Sequence, residues 1–477
     1  MRGGGCAGLA LVIAAAAGGC AYNAQSRAAG WTIAETENVS VQTSAPPGRA
    51  AEIAAELQAI RDTLVAGSVM KCAFSGGDDR IMVTVLSDSE FGDIASRNTA
   101  GMYRHWPISW LPEYEGQLIL PDDMGRGARQ LYQHELTHHM IAACFPNVPV
   151  WLGEGLAKFL ETVVVDGDEL LVGIPPFAIL RRTTPHATVY RGVQVIVLPS
   201  YLLPPLRSVL AMPSEQFYLR HAHDSLRMAA NYAAAWALVH MLELGSGDLH
   251  ERFTAFLGGL SRLDADPAAL LAKHFEGVDL QARFNTYVWH GEMPYVRLAA
   301  RAPRRAAARV RSMSAGDAHV HWAWLWAGVH DEDDRRRRVA EHLAAAREDP
   351  ASRARAHLMA AALLVRDEDQ HGAEREVLDG LRAAPADPTL LQALVELRLM
   401  RGADPSSSAD RLRPVALTAD QRCALGAVEL ARGQPNRALG HAMRGLQSRP
   451  RSLRCRKLLD LARGALRANR PARGPGA

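Results

Sequence analysis

His134-Glu135-Leu136-Thr137-His138 and Trp151-Leu152-Gly153-Glu154-Gly155-Leu156-Ala157 decide how this 477-residue chain is read. On a helix, residues four apart share a face, so the two imidazoles of His134 and His138 can reach one ion. Glu135 then sits beside the ion's open position, where a carboxylate can take a proton from water. Zn2+ suits imidazole plus carboxylate, and a catalytic zinc takes three protein ligands and leaves a fourth position open. Fifteen residues separate His138 from Glu154, and Phe145-Pro146-Asn147-Val148-Pro149 breaks the chain between them. One helix is expected from about Gly127 to Ala143 and a second from about Val150 to Glu161. Folded back on the first, the second can turn Glu154 toward both histidines, and the small Gly155 and Ala157 allow close approach. Glu161 lies two turns beyond Glu154 on the same face; it either supports a histidine from behind or is a solvated helix end. His139 is turned about a hundred degrees away and is not expected as a ligand.

Outward from this centre the texture is α/β. Residues 31 to 43 alternate like a strand pair, and Ile53, Leu57, Ile60 and Leu64 recur at helical spacing. Ile81 to Leu86 and Gly116 to Leu120 read as strands. Val163 to Val165 and Leu170 to Val172 flank Asp166-Gly167-Asp168, a hairpin signal. Residues 175 to 215 are Pro-rich and poorly periodic, and a strong helix resumes over Ala229 to Leu244.

After Ala300 the chain becomes rich in Ala, Arg and Leu, with breaks near Gly316, Pro350, Pro385, Asp420 and Pro450. The spacings are 34, 35, 35 and 30 residues, and each unit reads as two amphipathic helices. That resembles tetratricopeptide repeats, which implies a stacked helical solenoid offering a surface to a protein partner. An irregular all-helical domain is the plainer alternative. In Asp331-Glu332-Asp333-Asp334-Arg335-Arg336-Arg337-Arg338 every acid has an arginine four residues on, as on a solvated helix face.

The formal net charge of +3 gives no support to nucleic-acid binding. Arg2 and the apolar stretch Ala7 to Ala17 form a leader too short to span a bilayer. Ala17-Gly18-Gly19-Cys20 resembles a bacterial lipobox, which implies a lipid on Cys20 and attachment to a membrane of the cell envelope; Ala17 stands where leucine is usual, so plain secretion remains the alternative. In an oxidising compartment Cys72, Cys144, Cys423 and Cys455 can form two disulfides or stay as buried thiols, and the pairing is left open.

The two opening strings resemble the gluzincins, zinc peptidases with a glutamate ligand, and among them the peptidase MA-like families related to membrane alanyl aminopeptidases. The resemblance covers roughly residues 30 to 290. It implies His134, His138 and Glu154 as zinc ligands, Glu135 as general base, and Tyr232, within Asn231-Tyr232-Ala233-Ala234-Ala235-Trp236, as donor to the substrate carbonyl. The Gly-x-Met-Glu-Asn segment by which the aminopeptidases hold a free amine is missing. Gly116 to Leu120 is expected instead as an edge strand pairing with extended substrate, which favours internal peptide bonds.

The expected fold is therefore an α+β zincin-like metallopeptidase domain followed by an all-α helical-repeat domain. Residues 1–20 are the leader, 21–30 a tether, 31–298 the peptidase domain, 300–467 the repeats and 468–477 a disordered tail. Within the peptidase domain, 31–125 form an α/β part, 127–161 the zinc helices and 215–298 a helical part. The expected activity is zinc-dependent peptide hydrolysis. The rival is an envelope interaction protein that works through its repeats and keeps the first domain as a scaffold.

Overall fold

The structure is a computed structural model. It describes residues 24–468 apart from 68–79, 96–100, 107, 115, 123–125, 181–182, 191–192, 219–224, 246, 291–292, 300–306, 330, 417 and 450–451. The leader with Cys20, residue Cys72 and the tail from 469 onward lie outside the described residues.

Five strands of the first part are β1 (Thr32–Glu35), β2 (Val39–Thr43), β3 (Ile81–Leu86), β4 (Met102–His105) and β5 (Gly116–Pro121). They form a six-stranded sheet in the order Arg309–Ser312, β1, β2, β3, β5, β4. The β2–β3 and β3–β5 pairs are parallel and the others antiparallel. Gly116 to Leu120, expected at the edge, is thus an inner strand between β3 and β4. The edge strand on that side is β4, antiparallel to β5, whose four residues of mixed polarity give no strand signal in the sequence.

Alternation along β3 separates two packed faces. Ile81, Val83 and Val85 join one core with the helix Pro47–Gly67 and the histidine-bearing helix Arg126–Cys144. On the opposite face the Thr84 hydroxyl meets His321 Nε2 at 2.9 Å, and Leu86 joins a core containing Trp31, Trp322 and Trp324. His321, Trp322 and Trp324 belong to the helix Ala315–Trp326. The helical part therefore covers the second face of the sheet and lends it the strand Arg309–Ser312, so packing does not divide near residue 300. Residues 24–28, expected within a tether, form a short helix, and the indoles of Trp31 and Trp322 both donate to the Arg27 carbonyl.

The hairpin after the helix Val150–Leu160 is present as Val164–Asp166 and Glu169–Val172, extended to three strands by Val296–Ala299. The Pro-rich stretch forms strands Phe177–Leu180, His186–Tyr190 and Val193–Pro199 in a third sheet. Helices Ser225–Leu244, Leu249–Leu260, Pro267–His274 and Leu280–His290 follow.

Beyond Ser312 the described elements are all helices. They come as Ala315–Trp326 with Glu332–Glu348, Arg353–Arg366 with Gln370–Ala383, Pro388–Met400 with Ser406–Leu412, and Ala419–Ala431 with Pro435–Ser448, then Leu453–Ala468. The coarse expectation, α/β followed by helices, holds. The charge run opens the helix Glu332–Glu348: Asp331 caps it, Arg336 pairs with Glu332 and Arg338 with Asp334 at i,i+4 spacing, and Arg335 and Arg337 pair at i,i+3. Cys423 and Cys455 form a disulfide between the last first-of-pair helix and the final helix, and Cys144 is also disulfide-bonded.

Candidate metal centre

The helix Arg126–Cys144 buries Tyr132, Leu136, Met140 and Ile141, a stripe at four- and five-residue steps. That burial fixes the rotation of the helix and turns His134 and His138 together toward the helix Val150–Leu160. The helix ends where Phe145 N–H bonds the Ile141 carbonyl, and Pro149 opens the next one in extended geometry. In that second helix every side chain from Trp151 to Leu160 except Lys158 is buried, and Trp151 stacks on Phe256. Gly155 was expected to let the two zinc helices approach. It faces the helix Ser225–Leu244 instead: a Cβ there would lie 2.6 Å from the Ala235 carbonyl oxygen. This contact brings Tyr232 in beside the histidines, with its ring centroid 6.4 Å from that of His134.

His134 Nε2 and His138 Nε2 are 3.1 Å apart. Glu154 Oε2 is 3.3 Å from His134 Nε2, and Glu154 Oε1 is 3.4 Å from His138 Nε2. Ligand atoms about 2.0–2.1 Å from a tetrahedral ion sit about 3.3 Å from one another, so these spacings fit a single small cation. Glu154 Oε2 is buried and has no hydrogen-bond partner among the described residues, as a lone pair reserved for an ion requires. Among the described residues this trio is the only group of three or more His, Cys, Asp or Glu side chains so placed. It could hold a metal ion.

The electrostatics point the same way. Burial works against a charged His134, yet its contacts with Glu154 and Glu161 prevail and raise its pKa to about 9. Burial also opposes the charged form of Glu154, but the facing imidazoles of His138 and His134 hold its carboxyl well below the ordinary range. A proton on His134 answers the same demand for positive charge that a cation would.

Glu161 resolves to the supporting role: its Oε2 lies 2.9 Å from His134 Nδ1, the nitrogen turned away from the trio. Lys158 Nζ is 2.9 Å from the same oxygen and holds Glu161 from the other side. Burial would raise the Glu161 pKa, but Lys158 and His134 together keep it lowered. Two residues near the trio were not singled out in the sequence. Lys158 could have been found, being one turn from both Glu154 and Glu161. Tyr218 could not; its hydroxyl donates to Glu154 Oε1 at 2.5 Å, from the residue that caps the short helix Ser214–Phe217, which no motif marks.

Glu135 is half-buried, and no hydrogen bond engages its carboxylate among the described residues. The Tyr232 hydroxyl likewise has no hydrogen-bond partner among them. Burial first, then the Glu154 carboxylate, push its pKa far up, so it stays a neutral donor. Lys158 Nζ lies 5.4 Å from the Tyr232 ring centroid. His139 turns from the trio and packs edge-on against Tyr103, with centroids 5.9 Å apart.

No protein-family model matches this chain, and no curated protein matches it.

Proposed function

We propose that this protein is a zinc-dependent peptide hydrolase of gluzincin type, in which a zincin-like domain carries tetratricopeptide-like helices. The observation that carries the reading is the His134–His138–Glu154 trio at the spacing of one tetrahedral ion, beside the unengaged carboxylate of Glu135. His134, His138 and Glu154 would hold the metal. Bound there, zinc would lower the pKa of a coordinated water and polarise the scissile carbonyl. Glu135 takes the proton of the attacking water on its carboxylate and returns it to the leaving amine. Tyr232 donates its hydroxyl proton in a hydrogen bond to the oxyanion, and high pKa suits it to remain a donor. Glu161 fixes the His134 ring through Nδ1, and Tyr218 orients Glu154.

The location in the cell envelope and the lipid on Cys20 rest on the leader alone, and a protein partner on the helical part rests on the repeat-like spacing alone. The helical part could serve an interaction protein equally well, but such a protein has no use for Glu135. Glu135→Gln therefore decides between the readings. The variant should keep its zinc and lose about 10²–10⁴-fold of peptide turnover, the usual range for a general base. A zinc-loaded wild type that cleaves nothing in a diverse peptide library would end the hydrolase reading.

A further inference from the structure

Tyr218 reaches Glu154 from a segment that is itself firmly held. The helix Ser214–Phe217 ends on Tyr218, whose N–H bonds the Ser214 carbonyl at 3.0 Å. Phe217 is fully buried, and its ring packs edge-on against Tyr218, with centroids 5.4 Å apart, and against Tyr232, at 5.2 Å. The Phe217 carbonyl accepts from Nδ2 of the buried Asn231 at 3.0 Å. Asn231 and Tyr232 are neighbours on the helix Ser225–Leu244, which packs against the glutamate-bearing helix Val150–Leu160 at Gly155. Tyr218 is thereby tied to the framework that carries Glu154.

The two oxygens of Glu154 stand in nearly the same relation to the histidines. Oε2 is 3.3 Å from His134 Nε2, and Oε1 is 3.4 Å from His138 Nε2. A carboxylate that straddles two imidazoles in this way can offer an ion both of its oxygens. The second oxygen would then compete for the position that a catalytic zinc keeps for water. What separates the two oxygens is their partners. Oε2 is buried with no hydrogen-bond partner among the described residues, whereas Oε1 accepts the Tyr218 hydroxyl at 2.5 Å. A hydroxyl bonded to a carboxylate oxygen makes one of the stronger hydrogen bonds, and it draws on the charge that the oxygen would give a metal.

We propose that Tyr218 is a positioning residue that reserves Oε1 of Glu154, so that the carboxylate gives the metal Oε2 alone and the position for water stays open. This rests on the zinc reading above and deepens it. Tyr218 acts through Glu154. It governs the open position more than the grip on the metal, so its loss changes the number of ligand atoms while the metal stays bound.

The test uses the full-length protein loaded with Zn2+, or with Co2+, whose visible absorption weakens as its coordination number rises. Tyr218→Phe removes the hydroxyl and keeps the ring. It should hold zinc as tightly as the wild type. X-ray absorption at the zinc edge should count an additional light ligand atom, and the cobalt absorption should weaken. Peptide turnover should fall by about 10–100-fold, as on loss of an outer partner of a metal ligand. 4-Aminophenylalanine at position 218 keeps a donor at similar reach and should restore the wild-type spectra. Wild-type spectra in Tyr218→Phe would overturn the proposal. So would loss of zinc from that variant or its failure to fold, since either makes Tyr218 a structural support. A folded 4-aminophenylalanine protein with the spectra of Tyr218→Phe would overturn it as well. A wild type that takes up neither zinc nor cobalt removes the zinc reading itself, an outcome distinct from a loaded variant with unchanged spectra. A zinc-loaded wild type that cleaves no peptide ends the hydrolase reading and leaves the ligand count to decide this inference.

Discussion

Withdrawing the metal from this site should leave a proton in its place, and that exchange can be measured. In the metal-free protein His134 titrates at about 9, against an ordinary value of 6.5. A histidine whose folded pKa is raised stabilises the fold fully below the unfolded value and loses that contribution as pH climbs through the folded value. The window is therefore pH 6.5 to 9, and the difference corresponds to about 3 kcal/mol. Because His134 is only 7% exposed, little of this is lost to solvent screening. Glu154 and Glu161, both lowered, are ionised throughout this window and add no slope. The buried His240, His321 and His342, held down by desolvation to about 4, 3 and 3, are neutral there too.

Chelated protein should thus lose stability from pH 6.5 to 9, read as a falling Tm. Zinc affinity should rise over the same range, about tenfold per pH unit, because a proton no longer competes for His134. Calorimetry in buffers of different ionisation enthalpy should find about one proton released from His134 per zinc at neutral pH. Glu161→Gln removes one of the two carboxylates that hold this proton, so it should flatten both slopes while weakening zinc by about 10–100-fold. Chelated protein whose stability is level or rising across the window, with zinc affinity independent of pH, would refute the reasoning.

Tyr232→Phe should keep its zinc and lose about 10²–10³-fold in kcat, as removal of an oxyanion donor does; a wild-type rate would return the ring to a packing role. Ending the chain at residue 298 should give a protein without a cooperative thermal transition, since the cut removes the strand Arg309–Ser312 and uncovers Trp31 and Tyr114. A soluble fragment with sharp unfolding and bound zinc would count against the shared core. Alkynyl fatty acid fed to cells should label the wild type and spare Cys20→Ser, and equal labelling of the two would remove the lipid from Cys20.

The trio was legible because its chemistry is local. Spacing of four on one helix puts His134 and His138 together whatever surrounds them, and the Pro146 to Pro149 break leaves the next helix few ways to go but back. The same helical arithmetic put Glu161 on the face of Glu154 but left a solvated helix end open, and only the contact with His134 Nδ1 decides for support. Tyr218 was not legible, because it reaches Glu154 across 64 residues of chain and nothing in its neighbours announces the contact. The third sheet has a sequence signal in the β-branched runs Thr188-Val189-Tyr190 and Val193-Gln194-Val195-Ile196-Val197, but the prolines on either side carry an equally strong loop signal. The position of β5 was beyond reach. An apolar strand reads alike at an edge or inside, and only the insertion of β4 after it in the sheet order decides the matter.

The packing of the helical part on the sheet has a physical cause that the sequence does carry. A stack of helix pairs needs a polar outer face on its first helix, or that face must be covered. In Ala315–Trp326 every residue from Ala318 to Trp326 is buried, with Trp322, Trp324, His319 and His321 pointing to different sides. A helix apolar all round belongs inside a protein. It cannot begin a free-standing array, so something earlier in the chain has to lie against it. That partner is the second face of the sheet, where Thr84 is a hydrogen-bond partner of His321 and Tyr114 stacks on its ring. The sheet thus serves as the cap of the helical stack, and the stack as the second layer of the sheet.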